Sequence, residues 1–459
     1  MSVLIILLAL GLLMYVAYRG MSVILFAPVA AVLAVVLTNP AWVPAWFYGL
    51  FMERMVGFVK LYFPVFLLGA IFGKFIELSG FARSIISAVT AFIGARHAML
   101  AVVLVCAILT YGGVSLFVVA FAVYPFAAEL FRTADVPKRL IPATIALGAF
   151  TFTMDALPGT PQIQNIIPTT FFGTDTWAAP WLGVCGGGFV LVVGMAYLQW
   201  RQRAAARAGE GYGEGHANEP VSEWPGPLPH PALAVAPLLV VGFLNKLLTG
   251  WIPAAYGKTV ALPDGARVEV EKLTAIWAVE GALVAAIVLV GVVAFRRIRV
   301  GVTAGLQGAV NGAVLAALNT GSEYGFGAVI AALPGFAVVR EGLTASVRDP
   351  LLNVAVTTNV LSGITGSASG GMSIALGAMG QTYLQNALAA GISPEVLHRV
   401  AAMSSGGMDT LPHNGAVITL LTVTGLTHRQ AYREILGMTV IKTAAVFLVI
   451  GLYTWLGVQ

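Results

Sequence analysis

Long apolar stretches separated by short polar loops occupy most of the chain. The clearest of them cover residues 2–18, 178–199, 232–248, 273–295 and 438–456. A helix of roughly 17 to 25 mostly apolar residues is long enough to cross the hydrocarbon core of a bilayer. The pattern therefore predicts an all-α polytopic membrane protein, in which many crossings alternate with short loops.

The composition agrees with this class of protein. Hydrophobic residues make up 58% of the 459 residues and charged residues only 10%, whereas soluble domains carry about 25% charged residues. The net charge of +5 is distributed over short loops, which is typical of cytoplasmic loops and not of a nucleic-acid-binding surface. We expect a multi-pass protein of the bacterial inner (plasma) membrane that binds no nucleic acid.

A short motif with a carboxylate and a proline occurs twice within apolar surroundings. It covers residues 154–158 (Met-Asp-Ala-Leu-Pro) and 408–412 (Met-Asp-Thr-Leu-Pro). Gly-Gly-x-Ser at 112–115 also recurs, at 370–373, so that matching segments lie about 255 residues apart. Because a carboxylate and a helix-breaking proline are costly at membrane depth, their duplication indicates a site built from two related halves, as in secondary transporters.

The repeats divide the chain into a first half (1–200), a hydrophilic linker (201–227) and a second half (228–459). The linker contains several glycines and prolines, which predicts flexibility, and its arginines place it in the cytoplasm. The loop after the first Gly-Gly segment is basic (132–139), whereas the matching loop (395–399) has no basic excess. Opposite charge bias at matching positions predicts that the halves are inverted repeats.

Each half is predicted to contain about five crossings, a re-entrant hairpin and a broken helix. The first half has crossings at 2–18, 21–38 and 58–78, a short helix near 81–94, a hairpin at 98–131 broken at 111–113, a crossing broken at 155–161 and a final helix. The second half matches it, with a hairpin at 351–389 whose tip covers 366–371, and a crossing broken at 409–414.

The four interrupted segments contain small polar side chains. Non-helical backbone in a membrane must be buried in protein or face a water-filled cavity, and half-helix N-termini offer free N–H groups to an anion. The predicted substrate-binding residues are Gly112, Gly113, Ser115, Asp155, Thr160, Gln162, Asn165, Ser367, Ser369, Ser373, Thr410, His413 and Asn414. Because these segments contain no Arg or Lys, we expect a small monocarboxylate and not a dianion.

Asp409, Asp155 and His413 are the candidates for carrying a coupled proton. A carboxyl group in a low-dielectric site can bind and release a proton during transport, and the pKa of an ordinary histidine lies near neutrality. The alternative is structural, since an Asp that precedes a Pro by three residues is suited to cap the second half-helix. Glu323 lies in another apolar segment and is a further candidate for the cavity wall.

With these residues the chain resembles the gluconate permease (GntP) family over nearly its full length. The similarity runs through 68–74, 80–82 and 157–161 in the first half, and through 366–369 and 413–414 in the second. The resemblance implies inverted repeats, elevator-type movement and proton symport of gluconate, related sugar acids or short hydroxy acids such as 3-hydroxybutyrate. The chain lacks the family's His-rich segment at the first break, which favours the short hydroxy-acid branch.

The leading prediction is thus a proton-coupled monocarboxylate symporter. A sodium-coupled carboxylate transporter on the same scaffold is the alternative, since the Ser- and Gly-rich tips can supply oxygen ligands to Na⁺. A channel is disfavoured by the duplicated broken helices, and an intramembrane enzyme by the lack of a nucleophile or metal-ligand motif. The predicted partners are a small organic acid, a proton (or Na⁺) and the lipid bilayer, with no cofactor or metal. The early helices of each half are expected to form a homodimer interface.

Overall fold

The chain is an all-α membrane protein. The computed structural model describes residues 2–19, 21–94, 97–219, 227–263, 265–338, 342, 347, 349–412 and 414–459. Within these ranges, five helical segments are long and apolar enough to cross a membrane: Pro40–Leu78, Pro180–Arg207, Pro231–Tyr256, Val270–Val293 and His428–Leu456. The predicted all-α polytopic class is confirmed.

The first half of the chain runs from α1 to α11. Its helices are α1 (Ser2–Tyr18), α2 (Val23–Thr38), α3 (Val43–Trp46), α4 (Glu53–Leu78), α5 (Phe81–Ile93), α6 (Ala98–Tyr111), α7 (Leu116–Thr133), α8 (Ile141–Ala149), α9 (Phe152–Asp155), α10 (Ile163–Phe172) and α11 (Pro180–Arg207). Short 3₁₀ turns cover Pro40–Trp42 and Lys138–Leu140, and a π-helical turn, Phe47–Met52, leads directly into α4.

The second half runs from α12 to α20. Its helices are α12 (Pro231–Tyr256), α13 (Val270–Val293), α14 (Phe295–Ile298), α15 (Val302–Ala332), α16 (Pro350–Thr365), α17 (Ala368–Ala389), α18 (Pro394–Gly406), α19 (Gly415–Thr424) and α20 (His428–Leu456). A 3₁₀ turn, Gly407–Thr410, follows α18 directly. An antiparallel hairpin that the sequence did not predict, β1 (Thr259–Ala261) and β2 (Arg267–Glu269), connects α12 with α13.

The two halves repeat the same order of elements. Helices α1–α4 correspond to α12–α15, α6–α7 to α16–α17, α8 and α10 to α18 and α19, and α11 to α20. The packing repeats as well, since α2 contacts α15 as α13 contacts α4, and α10 contacts α17 as α19 contacts α7. Helix α4 also packs against its own counterpart α15, and α11 against α20. Contacts between equivalent elements are typical of repeats related by a pseudo-two-fold axis.

The second hairpin, formed by α16 and α17, turns within two residues. Helix α16 ends at Thr365 and is followed by Gly366, whose φ of 67° is a left-handed conformation that glycine adopts without strain. Ser367 then caps α17, because its Oγ accepts a hydrogen bond from Gly370 N at 3.1 Å. The tip is therefore shorter than predicted, and residues 369–371 belong to the first turn of α17.

Both predicted broken helices are present, but their caps differ from the expectation. The first is interrupted between α9 and α10, and the second between the Gly407–Thr410 turn and α19. Gln162 and Asn414 are the residues that directly precede the second half-helices, and Asn414 Oδ1 accepts a hydrogen bond from Ala416 N at 2.7 Å. The predicted N-capping of these half-helices by Asp155 and Asp409 is therefore wrong.

The linker is attached to the helix bundle. Residues 201–207 still belong to α11. Beyond them, the fully buried Lys138 donates a hydrogen bond to Ala217 O at 2.7 Å and forms an ion pair with Glu219 at 2.8 Å. These contacts attach the linker to the bundle as far as Glu219, and residues 220–226 lie outside the described part of the chain.

Candidate transport site

The carboxylate of Asp409 lies at the N-terminus of the hairpin helix α17. Its Oδ1 accepts hydrogen bonds from Ala368 N and from Asn414 Nδ2, both at 3.2 Å. Its Oδ2 accepts a hydrogen bond from Gln164 Nε2 of α10 at 2.9 Å. Asp409 is only 6% exposed, so three donors from three elements compensate for its loss of water.

Hydroxyl groups surround the same helix N-terminus. Ser369 Oγ lies 3.5 Å from both Ser367 Oγ and Thr320 Oγ1, the latter on α15. Ser373 donates a hydrogen bond to Ser369 O at 2.7 Å, so its hydroxyl serves its own helix. Ser367 and Ser369, two of the predicted binding residues, therefore lie together at the tip.

Asp155 forms an ion pair that joins the two halves. Lys442 Nζ of α20 donates a hydrogen bond to Asp155 Oδ2, and neither side chain has any exposed surface. Asp155 Oδ1 has no hydrogen-bond partner among the described atoms. Gly406 of α18 lies against both charged groups, and a Cβ at this position would collide with them. The pair is therefore enclosed in a tightly packed interior.

Helices α20 and α11 occupy equivalent positions in the two halves but differ at the site. Helix α20 carries the buried Lys442, whereas α11 carries a glycine that packs closely against its neighbour. On α20, Thr439 forms a hydrogen bond of 2.7 Å with Thr410, and Lys442 lies on the same side of the helix. On α11, Gly183 faces the first broken segment and leaves no room for a Cβ beside the backbone of Ala156. Lys442 therefore brings a charge from the second half to the aspartate of the first half.

Arg399 of α18 is a second buried cation beside the first broken segment. Its guanidinium donates hydrogen bonds to Ala178 O at 2.8 and 3.1 Å, to Asp155 O at 2.6 Å and to Asn165 Oδ1 at 2.9 Å. Asn165 in turn donates a hydrogen bond to Thr160 O at 3.0 Å. Arg399 therefore links the broken helix of the first half to that of the second. The amide oxygen of Asn165 is already engaged as the acceptor of one of these hydrogen bonds.

The tip of the first hairpin, in contrast, faces apolar side chains. A Cβ on Gly112 would collide with Leu238 of α12, and one on Gly113 would press against Leu283 of α13. Ser115 precedes α7 without a side-chain capping bond. Gly112 and Gly113 therefore pack against the early helices of the second half, whereas the backbone of Ser115 lies beside Gly73 of α4.

Thr160 and Gln162 at the first break hydrogen-bond to nearby backbone. Thr160 Oγ1 donates to Thr153 O at 2.7 Å, and Gln162 Nε2 donates to Thr110 O at 2.7 Å. Thr160 thus stabilises the first broken segment internally, and Gln162 holds this segment against α6. His413, the remaining predicted residue, lies outside the described residues.

The chain was compared with known proteins. No family model matches it. It is 56% identical over 471 residues to the Bacillus subtilis (strain 168) protein "Uncharacterized transporter YxjC", and the alignment covers 100% of each chain. This chain belongs to the YxjC family of transporters. It is also similar to the crystal structure of the Alcanivorax borkumensis YdaH transporter, with a TM-score of 0.47 and 15% sequence identity over 88% of each chain.

In this YxjC-family transporter, two basic residues lie in the interior and not in the loop that the sequence predicts. His398 and Arg399 were expected in a loop, but both are fully buried in α18. The sequence contained a signal for this, because Ser393 followed by Pro394 is a typical helix start, and Ser393 Oγ accepts a hydrogen bond from Glu395 N at 3.3 Å. The two residues therefore lie within the helix.

The interrupted segments contain no Arg or Lys, but the folded site does contain cations from other parts of the chain. Helices α18 and α20 bring Arg399 and Lys442 next to Asp155 from outside those segments. Lys442 lies within an apolar stretch, and no local pattern indicates that it meets an aspartate in the other half. Two cations thus accompany Asp155 and Asp409 in the interior.

Proposed function

We propose that this YxjC-family transporter is a proton-coupled symporter of a small monocarboxylate in the bacterial inner membrane. The substrate class is a short hydroxy acid such as 3-hydroxybutyrate or a sugar acid such as gluconate. The observation that carries the proposal is the buried carboxylate of Asp409 at the N-terminus of α17. Backbone N–H groups and the helix dipole favour a negative charge at such a place.

In the proposed cycle, a substrate carboxylate replaces Asp409 at these donors. Ala368 N and the amides of Gln164 and Asn414 are available to it once Asp409 turns away. The buried Oε1 of Gln164 has no hydrogen-bond partner among the described atoms, so it is suited to accept a hydrogen bond from a substrate hydroxyl. Donors for a carboxylate beside an acceptor for a hydroxyl are complementary to a hydroxy acid.

Both buried cations, Lys442 and Arg399, already have partners within the protein, which supports a singly charged substrate. Lys442 is already paired with Asp155, and each hydrogen bond from Arg399 goes to a carbonyl or amide oxygen that holds it in place. A second carboxylate on the substrate would therefore be buried without a cation of its own, which is costly.

The proposed motion is of the elevator type. Each hairpin moves together with its broken helix as one unit against the first three crossings of its half. The duplicated hairpins and broken helices support this, because alternating access in transporters with repeats commonly moves one set of elements against the other. The resemblance to the gluconate permease family supports the same motion and proton coupling.

Uptake into proteoliposomes tests this function. Labelled 3-hydroxybutyrate and gluconate are offered separately under an inward proton gradient, with and without Na⁺, and liposomes without protein serve as the control. We expect one of the acids to accumulate with the proton gradient, independently of Na⁺. Accumulation that requires Na⁺ and ignores the proton gradient would contradict the proposal in favour of the sodium-coupled alternative.

A further inference from the structure

Four carboxyl groups in the described residues are more than nine-tenths buried: Asp155, Glu323, Asp409 and Glu434. Three of them have evident charge compensation. Asp155 is paired with Lys442, Glu434 is paired with two arginines, and Asp409 accepts three hydrogen bonds. Glu323 differs, because its carboxyl group forms no ion pair and its Oε2 has no hydrogen-bond partner within the described part of the chain.

Glu323 lies on α15, the third crossing of the second half, where it meets the hairpin helix α17. A Cβ built on Gly370 would overlap Glu323 Oε2, so the carboxyl group lies directly against the first turn of α17. Ser367, whose Oγ accepts a hydrogen bond from Gly370 N, lies in the same turn. Glu323 therefore lies on the boundary between the early helices and the hairpin that the proposed function moves.

Asp409 is the ionisable residue that shares the N-terminus of α17 with Glu323, since its Oδ1 accepts a hydrogen bond from Ala368 N. At this level of α15, the neighbouring side chains of α4 and the π-helical turn are apolar: Phe51, Met55, Phe58 and Val59. The remaining ionisable residues of the packed elements point elsewhere. On α4, Arg54 interacts with Tyr324, Tyr62 with Thr170 and Lys74 with Glu77, and Glu53 and Lys60 are exposed. Tyr48 of the π-helical turn is exposed, Tyr383 of α17 contacts Met379, and α2 contains no ionisable residue.

We infer that Glu323 is the residue that binds the coupled proton, a role that rests on the proposed symport function. A buried carboxylate without a cation is costly in a membrane interior, and more so beside the negative charge of Asp409. A proton on Oε2 removes this charge. The hairpin that carries the substrate then slides past a neutral carboxyl group on α15.

The proton balance is simple. The Glu323 carboxylate takes one proton from the outer solution when the substrate anion binds at the tip, and it becomes a neutral carboxylic acid. The same proton leaves to the cytoplasm after the substrate, which restores the carboxylate. One monoanion and one proton cross together, so the step carries no net charge, and a gradient of one pH unit supports an accumulation ratio of about tenfold.

The test compares Glu323→Gln with the wild-type protein and with the matched control Glu280→Gln. Gln has nearly the same shape as the protonated side chain, and Glu280 is a half-buried glutamate on a different helix, α13. Two readouts are measured in proteoliposomes: accumulation under a gradient of one pH unit, and counterflow exchange of substrate at equal pH. We expect Glu323→Gln to lose accumulation, with a ratio near one, while its counterflow stays within about threefold of wild type.

The outcomes separate the two proposals. If the wild-type protein exchanges substrate but does not accumulate it with the proton gradient, the proposed function fails, and the inference fails with it. If wild type and Glu323→Gln accumulate substrate equally, the inference alone is overturned. If Glu323→Gln does not fold, Glu323→Asp decides, because a carboxyl group one methylene further from Gly370 must shift the pH midpoint of uptake. A midpoint identical to that of wild type would overturn the inference.

Discussion

Removal of the positive charge of Lys442 should destabilise the protein strongly. In Lys442→Met the apolar part of the side chain is largely retained, but Asp155 loses its ion-pair partner in an interior with no exposed surface. Removing one partner of a buried ion pair typically costs about 3–5 kcal/mol, because the other charge remains without compensation. Exposed pairs contribute only about 0–1 kcal/mol, so burial is the reason for the large expected effect.

The size of the effect is measured by thermal unfolding of the purified protein in detergent. A loss of 1 kcal/mol shifts Tm by about 2–4 °C in a domain of 150–250 residues and by less in a longer chain, so we expect a fall of about 5 °C for Lys442→Met. The matched control is Lys272→Met, whose lysine is 67% exposed and pairs with Glu269 at 2.5 Å. The control should change Tm by at most about 1 °C.

The double variant Asp155→Leu/Lys442→Met completes the cycle. It removes both charges, and replacing a buried ion pair by apolar side chains is often nearly neutral for stability. We expect the double variant to regain most of the stability that Lys442→Met loses. A Tm of Lys442→Met equal to that of wild type, or a double variant less stable than the single one, would refute the reasoning that this pair is a compensated buried charge.

Three further changes test other parts of the structure. Gly370→Ala should reduce transport at least about tenfold, because its methyl group would overlap the Glu323 carboxyl group. The control is Gly308→Ala on α15, where a Cβ meets no atom within 4 Å, and it should leave uptake unchanged. Gln164→Leu removes a donor to Asp409 and a free acceptor, and the loss of about 1.5 kcal/mol should raise the KM of uptake about tenfold. In the linker, burial acts to raise the pKa of Glu219, but hydrogen bonds from Lys138, Tyr212 and Arg132 outweigh it and lower this pKa below its usual value of 4.5. The linker should therefore stay attached to the bundle at neutral pH, and its attachment should weaken as pH falls below about 4.5. Weaker attachment is measured as faster protease cleavage in the linker. The variant Glu219→Gln should remove this pH dependence. A cleavage rate that is equal in both proteins at every pH would contradict the role of Glu219.

The helices and their interruptions could be predicted because their signals are local. An apolar stretch of membrane length, a Gly-Gly pair and an Asp-x-Leu-Pro segment each act within about 20 residues of the chain. The hairpins at 98–131 and 351–389 and both broken helices follow from such signals. The short β hairpin at 259–269 was missed because its strands cover only three residues each.

The contacts that define the site could not be predicted, because they join distant parts of the chain. Asp155 and Lys442 are 287 residues apart in sequence. The structural alternative for Asp409 was a cap on its own half-helix, yet its carboxylate accepts a hydrogen bond from Ala368 N at the start of α17. A carboxylate takes the nearest unsatisfied N–H groups in space, and only the tertiary packing decides which helix offers them.

The coupling itself is the central claim, and proton movement driven by the substrate tests it most directly. Proteoliposomes that contain a pH-sensitive dye receive an inward gradient of unlabelled gluconate or 3-hydroxybutyrate at equal pH on both sides, and liposomes without protein correct for passive entry of the free acid. The account predicts acidification of the lumen beyond that control for the transported acid, with one proton per substrate molecule. Entry of labelled substrate through the protein without any such acidification would contradict proton symport.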